Sequence, residues 1–429
     1  MNAFSDKPLL RWMIFAFTAI VFVSVCVASG YAWYADYLAE SPDPANWMRA
    51  AQIEPGNGEY WYKLGFNRQW DLTDADASQV ITYLRRAVTI DPRSANYWMA
   101  LASAYESAGQ VPQAREAFHT ALQQYPSSAE AHWRFGSFLL RQGDTKQGYA
   151  EIHFALQNDI RLIPLAISRV WAATHDAEAL LNDVLPNSVE SQQVALDAFS
   201  EDNQIEPALS VWKHMIAAGK VIPIDASFPL ENILLAANRG AEAREVWRQA
   251  LVASGHPDEA NTGESLIFNG GFEFDAANGG LDWNLIPIPG VRYDYDSSNP
   301  HSGKRALRLT FDGDQNPGIQ TVSQNVPVQP NTRYHFEAYI RTAVITTESG
   351  PRFFIVFAGS TQQPLTLDNF TGTHPWEKQS ADFTTAADAH LILVQLYRPK
   401  SMKFSNNLAG TAWVDDISLV PAESPRPNP

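Results

Sequence analysis

From about residue 50 to residue 160 the sequence returns to one pattern roughly every 34 residues. The clearest unit runs from Ala95 to Ser128. Trp98, Leu101, Ala102 and Tyr105 fall on one face of a first helix, and Ala114, Phe118 and Ala121 on one face of a second. Gly109 sits at the turn, where a positive φ is wanted, and Pro126 closes the unit. Shifted forward by 34, Ala102, Gly109, Phe118 and Ala121 meet Gly136, Gly143, Ile152 and Ala155; shifted back, Ala121, Leu122 and Pro126 meet Ala87, Val88 and Pro92. Trp61, Leu64 and Gly65 lie 37 before Trp98, Leu101 and Ala102, so three residues are inserted around Gln69–Thr73. Ala50, Ile53 and Pro55 read as the second half of an earlier unit. One such helix pair cannot bury its own apolar face, so stability must come from stacking neighbours. Past residue 163 the pattern weakens, yet Ala208 with Trp212 and Ala243 with Trp247 repeat a small-then-large step 35 residues apart.

These positions and spacings resemble the tetratricopeptide repeat. The resemblance covers residues 42–260 and implies an α-helical solenoid whose concave face receives a peptide or a helix of a protein partner. Trp98, Tyr105, Phe118 and Trp133 are then packing residues of the stack and not a ligand cage.

Residues 12–35 carry no charge. About 20 apolar residues span a hydrocarbon core of about 30 Å, so this run has the length of a transmembrane signal anchor. Lys7 and Arg11 precede it while Asp36, Glu40 and Asp43 follow, which places residues 1–11 in the cytoplasm and the bulk in the periplasm or outside. The expected location is a bacterial inner membrane, crossed once. Trp33, Tyr34 and Tyr37 would settle at the outer interface. The competing reading is a signal peptide cut before Tyr31, although the apolar run exceeds the 7–15 residues usual there. Cys26, the single cysteine, lies inside this run. It excludes an intramolecular disulfide, a CxxC zinc site and a cysteine nucleophile in the remainder.

Near Glu264 alanine-rich helical periodicity gives way to Gly, Asn, aromatic and β-branched residues. Alternating segments follow at Ala306–Phe311, Ile319–Val328, Thr332–Thr342, Arg352–Phe357, Lys378–Phe383, Leu391–Tyr397 and Thr411–Val420. Turn residues separate them, among them Asn278-Gly279-Gly280. This predicts an antiparallel β-sandwich over residues 264–422. The series Asn269-Gly270-Gly271-Phe272-Glu273, Trp283, Ser302–Leu309, Gln324–Val328, Tyr334–Tyr339, Trp376, Phe383 and Gly410–Leu419 resembles the jelly-roll carbohydrate-binding modules of bacterial glycanases, which have a galactose-binding-like fold.

That resemblance implies two sites. Glu273 with Asp415 or Asp416 would hold a structural calcium, the hard cation that carboxylate oxygens suit. Alternation puts Asp415 on the face of Trp413, Ile417 and Leu419, and the alternative to a cation is neutralisation by Arg305, Arg308 or a backbone amide. Glycan binding would use exposed rings, with Tyr293, Tyr295, Tyr397 and Trp376 as candidates and Phe404 beside them. Trp283 and Trp376 also match positions that pack in the core of this fold.

Lys plus Arg number 31 and Asp plus Glu 47, a net charge of −16 that opposes a grip on nucleic-acid phosphate. No His-Glu-x-x-His pair, Gly-x-Ser-x-Gly elbow or phosphate loop is present. With the anchor, repeats and sandwich assigned, no segment is left for a catalytic domain. Residues 423–429 read as a disordered tail. The expectation is a non-enzymatic envelope scaffold that binds a protein partner through its repeats. Its sandwich would take a polysaccharide or assembly component, in exopolysaccharide or surface-glycan assembly or export. Two alternatives stay open: a protein-interaction scaffold without sugar binding, and a surface glycan hydrolase with an unrecognised site.

Overall fold

The computed structural model describes residues 8–68, 76–261 and 263–422. The insertion around Gln69–Thr73, residues 1–7 of the segment expected in the cytoplasm, and the expected tail at 423–429 lie outside them. Two compact units divide the chain, residues 1–186 and 187–429.

The first unit is helical: α1 (Pro8–Ala39), α2 (Pro44–Ile53), α3 (Gly58–Arg68), α4 (Ala77–Ile90), α5 (Ala95–Ser107), α6 (Val111–Gln124), α7 (Ala129–Arg141), α8 (Thr145–Asn158), α9 (Ile163–Thr174) and a short α10 (Ala177–Ala179) that runs into a π-turn. Asp43, Asp76 and Ser128 accept backbone N–H bonds at the starts of α2, α4 and α7, satisfying donors that a helix leaves open. The repeat is visible as one recurring bond. The carbonyls of Pro55, Pro92 and Pro126 accept from Trp61 Nε1, Trp98 Nε1 and the His132 Nε2 ring nitrogen, each six residues on. Trp98 is half-buried beneath that bond, Pro126 is exposed, and Leu101, Ala102, Tyr105, Ala114, Phe118 and Ala121 are buried. At the α7–α8 crossing a Cβ on Gly136 would stand 2.7 Å from Ile152 Cγ1 and 2.9 Å from the Gly148 carbonyl, so only glycine permits this approach.

Among the described residues one helix is long and apolar enough to cross a membrane, Arg11–Ala39, with mean hydropathy 2.3. By length and composition it is a membrane anchor or a signal sequence. Its last turn enters the first helix pair: Ala35, Leu38 and Ala39 pack against Ala50, Ala51, Tyr60 and Leu64, and the Tyr60 hydroxyl donates to Asp36 at 2.6 Å.

The second unit opens with α11 (Val189–Glu201), α12 (Ile205–Ala217), α13 (Phe228–Ala236) and α14 (Gly240–Ala253). Ten strands follow: β1 (Asn284–Leu285), β2 (Val291–Asp296), β3 (Ala306–Asp312), β4 (Ile319–Pro327), β5 (Arg333–Ile345), β6 (Arg352–Ala358), β7 (Leu365–Thr366), β8 (Gly372–Thr384), β9 (Leu391–Arg398) and β10 (Ala409–Pro421). They form two five-stranded antiparallel sheets, ordered β1-β4-β9-β6-β7 and β2-β3-β10-β5-β8. The shared core includes Phe272, Trp283, Leu307, Phe336, Ile355, Val394 and Val414. This is the antiparallel β-sandwich.

Within this unit the helices close onto the sandwich. Positions that would carry a Cβ at Gly240, Gly279 and Gly280 fall 2.5 Å from Pro327, 2.2 Å from Phe228 and 2.7 Å from Trp247. Arg244 donates to the Leu266 carbonyl and lies over the Phe268 ring, whose edge meets Trp247. Glu231, fully buried on α13, also faces Gly280, and neither of its oxygens has a hydrogen-bond partner. Burial pushes its carboxyl up to about 8. Asn278-Gly279-Gly280 is therefore a seam as well as a turn.

One expectation about faces is corrected. Between Asp415 and Ser418 the pairing of β10 with β5 slips, and Asp416 takes φ 49°. The added residue puts Ile417 and Leu419 into the core while Trp413 and Asp415 stay on the opposite side, so these four do not share a face. Asp415 is nonetheless fully buried, roofed by the loop before β3.

Candidate functional site

The outer side of the first sheet carries a pair of half-buried aromatic rings. On β9 the side chains of Val394 and Leu396 point inward, which turns Gln395 and Tyr397 outward; on β6 the same alternation turns Arg352 and Phe354 outward. Tyr397 and Phe354 stack with ring centroids 4.8 Å apart. Gln395, itself buried, is paired in register with Phe354 on one side and Ser323 on the other. Arg352 donates Nη2 to Asn369 Oδ1 at 2.7 Å and holds a cation at the end of β6. Phe354 was missed in the sequence, although the alternation of Arg352–Phe357 contains it.

The other ring candidates are differently placed. Tyr293 and Tyr295 on β2 pair with Leu309 and Leu307, on the core side of their sheet, and pack against the core. The Tyr295 hydroxyl accepts from Ala276 N at 2.8 Å, and the Arg305 guanidinium lies 4.0 Å from its ring. Their faces are occupied within the domain. Trp283 is in the core, whereas Trp376 is not: it lies half-buried on the outer side of the second sheet and donates Nε1 to the Asn299 carbonyl. Arg341 is stacked between Trp376 and Trp413, at 5.3 and 3.9 Å. Trp413 donates to Asp296 at 2.7 Å. Burial pushes Asp296 up, but Ser298, Trp413 and Arg308 outweigh it and hold its carboxyl near 2.

Glu273, Asp415 and Asp416 do converge, around Gly271, where a Cβ would stand 3.7 to 3.9 Å from atoms of all three. Each already has partners. Glu273 accepts from the Lys304 and Arg305 amides, and Asp415 from the amides of His301, Ser302 and Asp416. Asp416 bonds His301 Nδ1 at 2.5 Å and the Ser302 hydroxyl at 2.7 Å. Amides, and not Arg305 or Arg308, answer Asp415; those arginines pair with Asp275 and with Asp294 and Asp296. Burial and, after it, the neighbouring Asp416 push Asp415 up to about 6. Among the described residues no group of three or more His, Cys, Asp or Glu side chains is arranged as a metal site.

A cavity of about 550 Å³ adjoins the cluster and is lined by Asp258, Glu259, Glu273, His301, Glu337 and Asp416 among others. Its carboxylates differ in environment: Lys378 beside Glu337 holds that carboxyl below the usual range, burial pushes Glu259 up, and Asp415 is sealed beneath the cluster with both oxygens bonded. On the helical side, Ile216, Val221, Val252, Lys220, Arg248 and Glu245 line an open, mainly apolar cavity of about 570 Å³ between α12 and α14.

Residues 70–118 and 99–147 match the family model of the tetratricopeptide repeat. No curated protein matches the chain. Among solved structures the chain is similar to a Family 16 carbohydrate-binding module (22% identity, 36% of this chain, 99% of that one, TM-score 0.27). It is similar to the CBM22-1 xylan-binding domain from Paenibacillus barcinonensis Xyn10C (15%, 36% and 92%, TM-score 0.25). It is also similar to YrrB, a TPR protein with an unusual peptide-binding site (12%, 48% and 91%, TM-score 0.26). The helical region of this chain thus carries tetratricopeptide repeats, set between an N-terminal apolar helix and a C-terminal antiparallel β-sandwich.

Proposed function

We propose that this protein is a non-enzymatic scaffold of a bacterial envelope, anchored by α1, that engages a protein partner through its repeats and a glycan through the first sheet. The observation that carries the glycan reading is the Tyr397–Phe354 pair, two half-buried rings stacked on the outer side of the first sheet beside Arg352. The apolar face of a sugar ring lies on such a surface while amides and hydroxyls read its edges. Retention of α1 as an anchor is supported by its last turn, which belongs to the core of the first helix pair. The apolar cavity between α12 and α14 is the surface we assign to the protein partner. A role in exopolysaccharide or surface-glycan assembly or export follows from coupling these two kinds of recognition on one membrane-held chain. A calcium ion beside Glu273 and Asp416 belongs to the same proposal, as a brace between the opening and closing segments of the sandwich.

Full-length protein in detergent, titrated calorimetrically against a panel of neutral and acidic glycan fragments with calcium or a chelator, tests this reading. Tyr397→Ala and Phe354→Ala should each weaken binding about tenfold. Calcium should raise the melting temperature of the wild type and not that of Asp416→Asn. Binding that survives both aromatic substitutions, or no binding by folded protein, overturns the glycan reading. A melting temperature indifferent to calcium removes the ion. A scaffold that binds protein alone is the second reading, favoured by the packing of Tyr293 and Tyr295 against the core and of Trp376 against Arg341.

A further inference from the structure

We propose that the β9–β10 loop of the sandwich is a peripheral membrane contact, an apolar fingertip flanked by lysines that enters the headgroup region of an anionic bilayer. The loop reads Lys400-Ser401-Met402-Lys403-Phe404-Ser405-Asn406-Asn407. Met402 is 94% exposed and Phe404 fully exposed, extreme values for large apolar side chains.

Rigid attachment makes this exposure informative. Arg398, wholly buried at the end of β9, donates Nε to the Ser349 carbonyl, Nη2 to Thr347 Oγ1, and Nη1 to Asn316 Oδ1 and the Pro317 carbonyl. It therefore ties together the β3–β4, β5–β6 and β9–β10 loops. Ser401, also buried, donates its hydroxyl to Glu348, and its backbone exchanges bonds with the Asn316 side chain. At the far end Leu408 is buried and the Asn407 carbonyl accepts from Thr346. Between these two fixed ends Met402 and Phe404 have nothing to pack on. Val344, at the same end of the sandwich, is 67% exposed and held at φ 56°. A β-branched residue in that region is a true outlier, and such strain collects at working surfaces.

The shape and charge of the tip select a bilayer. It projects, so a protein partner would need a matching groove, whereas the headgroup layer of a membrane accepts any small convex apolar element. Lys400 runs its stem along Gly318 and Lys403 follows the turn, both exposed, in a chain whose net charge is −16. The Glu348 carboxylate beneath the loop is taken by Ser401 and lies in the field of Lys403 and Arg398. Lysines so placed would meet anionic headgroups while Met402 and Phe404 enter the layer beneath, as the long stems of cationic side chains allow.

The test uses the full chain in phosphatidylcholine nanodiscs, carrying Cys26→Ala and Ser405→Cys labelled with an environment-sensitive fluorophore. Vesicles containing phosphatidylglycerol are then added. Emission should shift to the blue, in the protein's own disc or against the added vesicles, and brominated acyl chains should quench it. Met402→Ser with Phe404→Ser should abolish the response without changing the melting temperature. Lys400→Gln and Lys403→Gln should each weaken it about fivefold. A label that keeps its aqueous emission against every bilayer overturns the proposal and leaves the tip for a protein groove.

Discussion

Replacing Glu231 by glutamine should stabilise the 187–429 unit at neutral and alkaline pH and leave it unchanged in acid. The carboxyl is fully buried against Gly280, both oxygens lack partners, and its value rises from 4.5 to about 8. Below pH 4.5 folded and unfolded chains both carry the proton, so Glu231 has no effect on the pH dependence there. Between 4.5 and 8 the folded state holds a proton that the unfolded state has lost, and stability must fall as pH rises. Above 8 the loss is complete, on the order of 4 kcal/mol. Glutamine keeps the shape and removes the charge, so its melting temperature at pH 8 should exceed that of the wild type by roughly 10 °C. Asp282, pushed by burial up to about 7, adds a smaller slope of the same sign that the variant retains. Parallel melting-temperature profiles for wild type and Glu231→Gln from pH 4 to 9 would contradict this account. They would mean that water reaches the seam.

Arg398→Met should cost the sandwich about 3–5 kcal/mol, the largest loss we expect from one side chain in the β domain. No carboxylate hydrogen-bonds this guanidinium; its partners are carbonyls, an amide oxygen and a hydroxyl. Burial lowers its affinity for a proton, yet the fork geometry satisfies acceptors that would otherwise be orphaned in three loops at once. Methionine fills the space and satisfies none of them. Lysine reaches fewer and should recover only part of the loss. Hydrogen exchange supplies the local reading: amides at Ser401 and in the 346–350 loop should open in Arg398→Met before the strands do. An unfolding midpoint within error of the wild type would show that the loops hold one another without the arginine.

What could be read from sequence follows from what is periodic. The helix pairs repeat at 34 residues because each buries the same few positions, and Leu101, Ala102, Phe118 and Ala121 are buried as that logic requires. Strands β3 to β6, β9 and β10 alternate because one side meets the core. The failures sit where a single residue breaks the period. Asp416 is one residue too many for the β10 ladder, and its φ of 49° is a conformation that Asp tolerates; that was the one available signal. Tyr293 and Tyr295 alternate correctly, but alternation does not say which side is inward on an edge strand. Trp376 matches both a candidate sugar-binding ring and a core position of the resembled fold, and the structure places it outside the core against Arg341. Gly279 and Gly280 look like turn residues, and only the packed helix beside them shows why no Cβ is admitted.

The seam bears on how chains of this kind can be recombined. A gene fragment beginning at the change of composition near Glu264 would encode a sandwich with Phe268 and Pro327 stripped of their helical cover, and with a pair of glycines opposite nothing. α13 and α14 are inherited with the strands they cover, so the transferable cassette begins near Asn187. Duplication or loss of helix pairs on the other side of that breakpoint would change the length of the stack and leave the cassette intact. Lineages should then differ in repeat number ahead of residue 187 and keep a fixed spacing behind it.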